Sequence, residues 1–126
     1  MTHELNRVLL VDDDRQTRLK LSRTLESEGY SVSVAQGGRQ ALDMMGSESF
    51  DLIILDILMP EVDGFTVLSQ VKAAPALREI PVVVISAVDD HESIEKCRQL
   101  GAAEYLIKPV SAENLIACVS SVLAEK

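Results

Sequence analysis

The chain has 126 residues, 47% of them hydrophobic, and a formal net charge of −8, which together indicate one domain spanning residues 1–126 with a substantial core. The negative charge opposes direct binding to nucleic acid, and no apolar run approaches the ~20 residues needed to span a bilayer. Since the N-terminus also lacks the apolar segment of a secretory signal, we expect a cytoplasmic protein with Cys97 and Cys118 as buried free thiols.

Apolar runs and turn residues predict alternating strands and helices from the start of the chain. The first half has a strand at 8–12, a helix from Asp14 to Glu28, a strand at 31–35, a helix from Gly38 to Met45 and a strand at 51–56. The first and third strands are continuous apolar runs that end in acid, as is typical of strands buried on both faces. The second strand alternates serine with valine, which favours an edge position.

The same alternation continues through the second half. It has a helix capped by Asp63 and running through Val71, a strand at 82–86, a helix from Asp89 or Asp90 to Leu100, a strand at 103–107 and a helix opened by Ser111. Strands that alternate with helices in this way specify an α/β domain with a parallel sheet. Because crossovers are right-handed and the first, third and fourth strands are the most apolar, we predict a doubly wound, flavodoxin-like (βα)5 sheet with strand order 2-1-3-4-5.

A set of chemically capable side chains comes directly after the apolar runs. They are Asp12 and Asp13 after the first strand, Asp56 after the third, Ser86 after the fourth and Lys108 after the fifth. The carboxyl ends of parallel strands share one edge of an open sheet, so we expect these side chains to converge there. Clustered carboxylates require a cation to stay ionised together, and their hard oxygens suit Mg²⁺, with Mn²⁺ as an alternative ion. With a lysine and a hydroxyl beside them, the set suits phosphoryl transfer to a carboxylate.

These residues, with several others, match the motifs of a known family. The chain resembles, over essentially its whole length, the receiver domain of two-component response regulators, in particular the chemotaxis type. The matching segments are Val11-Asp12-Asp13-Asp14, Asp56 to Pro60 with Asp63-Gly64, Ser86-Ala87, Gly101-Ala102, Tyr105 and Lys108-Pro109. The resemblance implies a signalling domain, not a conventional enzyme, that catalyses only its own aspartyl phosphorylation and dephosphorylation.

The resemblance also implies a role for each acid. Asp56 is the phosphoacceptor. Asp12, Asp13 and Asp56 hold Mg²⁺, with Asp13 as a direct ligand, and the main-chain carbonyl of Leu58 completes the protein's share of the coordination. The family's phosphodonor is a sensor histidine kinase or a phosphotransfer protein, for which small acyl phosphates can substitute, and its output is a downstream protein target or effector domain.

Three further residues acquire roles from the resemblance. Lys108 pairs with Asp56 and then with the phosphoryl group, and the Lys108–Pro109 bond is commonly cis in such domains. Ser86 turns inward to bind a phosphoryl oxygen, and Tyr105 follows it from an exposed to a buried position. For Tyr105, simple half-buried packing remains an alternative. Ser86 stands where threonine is commoner, and it keeps the hydroxyl that this role requires.

Other interpretations stay open. A constitutive docking pseudo-receiver is opposed by the intact acid set. A haloacid-dehalogenase-type phosphatase is suggested by Asp12-x-Asp14, but Gln16 stands where that motif has threonine or valine, and the chain is short for that class. The apolar Leu58 side chain cannot orient a hydrolytic water, which leaves the dephosphorylation rate open. Because no effector domain follows Lys126, we expect either a stand-alone receiver or a domain of a larger protein.

Overall fold

The computed structural model describes residues 6–125 and has the predicted α/β architecture. The strands are β1 (Arg7–Val11), β2 (Ser31–Ala35), β3 (Leu52–Leu55), β4 (Val82–Ser86) and β5 (Glu104–Ile107). The helices are α1 (Arg15–Ser27), α2 (Gly38–Ser47), α3 (Gly64–Ala73), α4 (His91–Gln99) and α5 (Ala112–Ala124). All strand pairs are parallel, and the order β2-β1-β3-β4-β5 confirms the predicted flavodoxin-like topology. The first five residues, which belong to the N-terminal segment that lacks the apolar stretch of a secretory signal, lie outside the described range.

The sheet is covered on both faces, so alternate residues of the central strands enter two separate cores. One core packs beneath α2, α3 and α4 and includes Leu9, Val11, Ile53, Leu55, Val82 and Val84. The other packs beneath α1 and α5 and includes Val8, Leu10, Leu52, Ile54, Val83 and Ile85. This arrangement explains why β1, β3 and β4 are continuous apolar runs. β2 is an edge strand as predicted, and Val34 on it is 40% exposed.

Four of the five helices within residues 6–125 begin at a side-chain cap. In each, the capping side chain accepts a hydrogen bond, of 2.9 to 3.1 Å, from the backbone N–H three residues later. The caps are Asp14 for α1, Asp63 for α3, Asp90 for α4 and Ser111 for α5. Because each of these helices follows a strand, the caps fix the loops at the carboxyl edge of the sheet.

Element boundaries differ slightly from those predicted. β1 ends at Val11, so Asp12 begins the following loop instead of closing the strand. α2 continues past Met45 to Ser47 because the N–H of Glu48 still bonds to the carbonyl of Met44, and the intervening glycine does not end the helix.

The cysteines are both free, and one of them departs from the prediction. Cys97 is buried, whereas Cys118 on α5 is only half-buried against the core, so the expectation of two buried thiols is wrong for Cys118. Burial raises the pKa of Cys97, and burial together with the charge of Glu104 raises the pKa of Cys118 to about 11. Both thiols therefore stay protonated and unreactive at neutral pH. Within residues 6–125, no helix is both long and apolar enough to cross a membrane.

Candidate functional site

The three predicted acids meet where β1 and β3 end. The register pairs Val11 with Leu55, so the residues that follow leave the sheet side by side. One carboxylate oxygen from each of Asp12, Asp13 and Asp56 lies within 4.8 Å of the others. Asp12 is 1% exposed and Asp56 is 5% exposed, whereas Asp13 is on the surface. Two buried carboxylates and one exposed carboxylate thus form a cluster with one open side.

The Lys108 ammonium joins this cluster from the end of β5. Its Nζ lies 2.7 Å from an oxygen of Asp12 and 3.1 Å from an oxygen of Asp56. The resemblance implies a partnership with Asp56, and the structure adds a shorter contact with Asp12. Burial by itself would lower the pKa of Lys108, but the hydrogen bond to Asp12 and the charge of Asp56 outweigh burial and raise it. The Lys108–Pro109 bond is cis, as predicted.

Backbone N–H groups hold the two buried carboxylates in place. The N–H of Asp14 donates to Oδ1 of Asp12 at 2.9 Å, and the N–H of Leu58 donates to Oδ1 of Asp56 at 3.0 Å. The other oxygen of each carboxylate accepts from Lys108. Each buried acid is therefore oriented by one backbone donor and one shared cation, and the hydrogen bonds from Lys108 are of the charge-assisted kind.

The donor set fits a hard divalent cation. Three carboxylates, each with one oxygen within 4.8 Å of the others, and one ammonium leave a formal excess of two negative charges at this edge. Mg²⁺ takes oxygen ligands, binds through one or two carboxylates and keeps several waters. The exposed side at Asp13 leaves room for those waters, and the backbone carbonyl of Leu58 belongs to the same loop as Asp56.

Ser86 and Tyr105 meet beside the acids, on the β4–β5 side of the sheet. Ser86 is fully buried at the end of β4, and its Oγ accepts from the N–H of Val88 at 3.3 Å. The half-buried Tyr105 donates its hydroxyl to the carbonyl of Val88 at 2.5 Å. Burial and the nearby Cys97 raise the pKa of the Tyr105 phenol, and the neighbouring Ser86 hydroxyl opposes this only in part. Two neutral hydroxyls thus share the short loop around Val88.

The loop that carries Asp56 is held against α3 by a close backbone approach. The N–H of Gly64 donates to the carbonyl of Ile57 at 3.1 Å, and a Cβ at Gly64 would lie 2.4 Å from Cα of Ile57. Only glycine fits this contact. Glu61, in the same loop, adopts a φ of 67°, in the left-handed region that residues with a side chain rarely occupy. Leu58 is 56% exposed and places an apolar side chain next to the acids.

Two residues that bear on the site were not assigned a role from the sequence. Gly64 is part of a matched motif, but its close approach depends on how α3 packs. Arg18, one turn into α1, donates from Nη1 to the main-chain oxygen of Asp12 at 2.8 Å. Side chains of a helix point back towards its N-terminus, so an arginine one turn after a capping acid is a signal that such a contact can form.

Comparisons with known proteins agree with this geometry. The family model of the response regulator receiver domain matches residues 8–120. Among solved structures, the chemotaxis protein CheY4 of Vibrio cholerae superposes with a TM-score of 0.90 at 31% identity, covering 94% of this chain and 99% of that one. A CheY-like receiver domain protein from Methanospirillum hungatei gives a TM-score of 0.91 at 28% identity, covering 97% of this chain and 96% of that one.

The curated relatives are longer than this chain. The response regulator MprA of Mycolicibacterium vanbaalenii is 39% identical over 117 residues, which cover 93% of this chain and 50% of that protein. The transcriptional regulatory protein ZraR of Escherichia coli is 39% identical over 125 residues, which cover 98% of this chain and 28% of that protein. The chain therefore spans half the length of these relatives or less.

Proposed function

Since the chain belongs to the response regulator receiver domain family, we propose that it is a phosphorylation-switched signalling receiver in which Asp56 accepts a phosphoryl group in a Mg²⁺-dependent reaction. One observation carries this proposal. A single ammonium, Lys108, bridges the buried carboxylates of Asp12 and Asp56 beside a third, exposed acid. An acid that only caps a helix, or that is solvated, is satisfied by backbone N–H groups or by water and does not need to share a cation with a second buried acid.

The metal would be held by Asp12, Asp13, Asp56 and the main-chain carbonyl of Leu58. When bound, Mg²⁺, or Mn²⁺ in its place, supplies positive charge to the phosphoryl oxygens. The protein contributes position. The N–H of Leu58 and the ammonium of Lys108 each bind one oxygen of Asp56, so the nucleophile is oriented before a phosphodonor arrives.

The transfer step needs no proton from Asp56, because a carboxylate is already the nucleophilic form. One Asp56 oxygen forms a bond to phosphorus while the bond from phosphorus to the leaving group breaks. The leaving group keeps the electron pair, whether it is the imidazole nitrogen of a phosphohistidine or the carboxylate of an acyl phosphate. Lys108 is 3.1 Å from Asp56 and can follow the charge onto a phosphoryl oxygen. Hydrolysis of the resulting acyl phosphate returns the free carboxylate.

The response to phosphorylation would pass through Ser86 and Tyr105. A phosphoryl oxygen on Asp56 gives the Ser86 hydroxyl a charged acceptor, which is stronger than its neutral contacts. If Ser86 turns towards it, the loop around Val88 must adjust, and Tyr105, which is bonded to Val88, adjusts with it. The affected face is built from α4, β5 and α5, where we place the docking of a downstream target or effector domain.

The partners that follow from this proposal are proteins. A sensor histidine kinase or phosphotransfer protein would supply the phosphoryl group, and we propose no direct contact of this domain with nucleic acid or membrane. The residues 1–126 would act as one receiver domain, and a cytoplasmic location stays a prediction from the sequence.

Intact-mass analysis after incubation with a small acyl phosphate tests the proposal. We expect one phosphoryl adduct that requires Mg²⁺, disappears with a chelator and is absent from Asp56→Asn. Asp43→Asn, at an exposed acid on α2, is the matched control and should be phosphorylated like the wild type. An adduct that persists in Asp56→Asn would favour a phosphatase-like nucleophile in the Asp12-x-Asp14 segment. No adduct in the wild type would favour a constitutive docking domain.

A further inference from the structure

Arg18 contacts the acid cluster through a main-chain oxygen and not through a carboxylate. Its Nη1 lies 2.8 Å from the main-chain oxygen of Asp12, and the arginine side chain is half-buried. That oxygen belongs to the peptide bond between Asp12 and Asp13, which is planar, so a hydrogen bond to it orients both residues. Lys108 binds the side chain of Asp12, whereas Arg18 binds the main chain between two of the acids.

We propose that Arg18 is a positioning residue for the metal site: it holds the Asp12–Asp13 peptide so that the Asp13 carboxylate faces the position of the ion. This inference rests on the proposed function of the same site. It assigns to Arg18 an effect on Mg²⁺ binding although the hydrogen bond from its guanidinium goes to a main-chain oxygen and not to a carboxylate.

The environment of Asp12 explains why the peptide needs a holder. β1 ends at Val11, and the N–H of Asp12 makes the last sheet contact, to the carbonyl of Ala35 at 3.2 Å. Asp12 is 1% exposed, so a carbonyl left without a donor there is costly. Arg18 supplies the donor at the point where the sheet stops doing so.

The contact also closes a loop of local structure. Asp14 caps α1 through the N–H of Thr17, and the N–H of Asp14 bonds to the Asp12 side chain. Arg18 then reaches back from the first turns of α1 to the Asp12 carbonyl. The segment from Asp12 to Arg18 is thereby tied to itself, and the orientation of α1 is transmitted to the acids.

The charge of Arg18 and its positioning role predict opposite changes in Mg²⁺ affinity when Arg18 is removed, which makes the proposal testable. A cation near clustered carboxylates repels Mg²⁺, so if Arg18 acted only by its charge, removing it would strengthen Mg²⁺ binding. If Arg18 acts by position, removing it weakens Mg²⁺ binding despite the lost repulsion. The direction of the change in Kd therefore separates the two explanations.

The experiment is a calorimetric titration of Mg²⁺ into the metal-free full chain. We expect Arg18→Met to raise the Kd about tenfold, the lower end of the range for partners that orient metal ligands. Arg18→Lys keeps a donor and should recover part of this loss. Arg23→Met, which removes an exposed cation from the same helix, should leave the Kd unchanged or slightly lower.

A second readout requires no metal. Amide hydrogen exchange at Asp14 reports whether its bond to Asp12 stays formed, and we expect faster exchange in Arg18→Met but not in Arg23→Met. If Arg18→Met fails to fold, Arg18→Lys carries the test. Mg²⁺ binding by a folded Arg18 variant that equals or exceeds that of the wild type would overturn the inference alone. Absence of Mg²⁺ binding by the wild type would overturn the proposed function, and the inference with it.

Discussion

Two neighbouring regions of the same sheet edge are built from different kinds of contact. The acid edge, formed by Asp12, Asp13, Asp56 and Lys108, is held by ionic and backbone hydrogen bonds of 2.7 to 3.1 Å. The hydroxyl side, formed by Ser86, Val88 and Tyr105, is held by neutral hydrogen bonds around one loop. Charged contacts in a buried setting are strong and expensive to leave unpaired, whereas neutral ones exchange partners at little cost.

The two regions differ in how firmly the fold holds them. The acid edge lies between the buried strands β1 and β3, so its geometry is imposed by the middle of the fold. The hydroxyl side adjoins β5, an edge strand whose residues are half-buried or exposed. The proposed switch would require a rigid site beside an adaptable one, and each variant below tests one of the two regions.

The largest effect is expected from Gly64→Ala, which attacks the rigidity of the acid edge. The added Cβ would lie 2.4 Å from Ile57 and 2.5 Å from the carbonyl of Asp56, so α3 or the Asp56 loop must shift. We expect a loss of about 3 kcal/mol in the free energy of unfolding. Gly46→Ala, at a helical glycine with nothing within 4 Å of its Cβ position, should instead add about 1 kcal/mol. Chemical denaturation measures both, and equal effects would contradict the close approach.

Lys108→Met removes the cation that bridges the acid edge. It leaves the carboxylates of Asp12 and Asp56 buried without a counter-charge, and we expect a loss of about 2 kcal/mol at pH 7. Lys20→Met, at an exposed lysine on α1, is the control. Because the pKa of Lys108 is raised above the ordinary lysine value of 10.5, its contribution is full below that pH. It is lost as the pH rises through the folded-state pKa, so the difference between wild type and variant should shrink there.

Asp13→Ala tests whether the acids of this edge repel one another in the metal-free protein. Removing the exposed carboxylate should raise the free energy of unfolding by about 1 kcal/mol, while Mg²⁺ binding weakens. Thermal unfolding without metal and a Mg²⁺ titration give the two numbers. Asp43→Asn, at an exposed acid on α2, should change neither, since asparagine and aspartate have similar helix propensities. Unchanged Mg²⁺ affinity in Asp13→Ala would remove Asp13 from the metal site.

The sequence allowed the elements and the meeting of the acids to be predicted, because both follow from local pattern. An apolar run that stops at an acid locates the carboxyl end of a buried strand, and parallel topology then brings Asp12 and Asp56 together. The contacts that the sequence did not predict depend on how residues far apart in the chain pack together. The shorter contact of Lys108 with Asp12, the reach of Arg18 and the backbone approach at Gly64 are set by packing, which no periodicity encodes.

The smallest effect is expected on the hydroxyl side, from Tyr105→Phe. The variant keeps the ring and removes one neutral hydrogen bond to the carbonyl of Val88, so we expect a loss of about 0.5 kcal/mol in the free energy of unfolding, the lower end of the range for such a bond. Because the raised pKa of Tyr105 keeps its phenol protonated, this loss should not vary with pH around neutrality. Tyr30→Phe, which alters a tyrosine packed against the other core, is the control.

The same variant decides whether the two regions are separable. Tyr105 bonds to the loop around Val88 and not to the carboxylates of the acid edge, so uptake of a phosphoryl group from an acyl phosphate should proceed at the wild-type rate in Tyr105→Phe. The NMR signal of the Val88 amide should nevertheless shift in the unphosphorylated protein, since the carbonyl of the same residue loses its hydrogen-bond donor. A phosphorylation rate that falls several-fold in Tyr105→Phe but not in Tyr30→Phe would mean that the hydroxyl side already shapes the acid edge before phosphorylation.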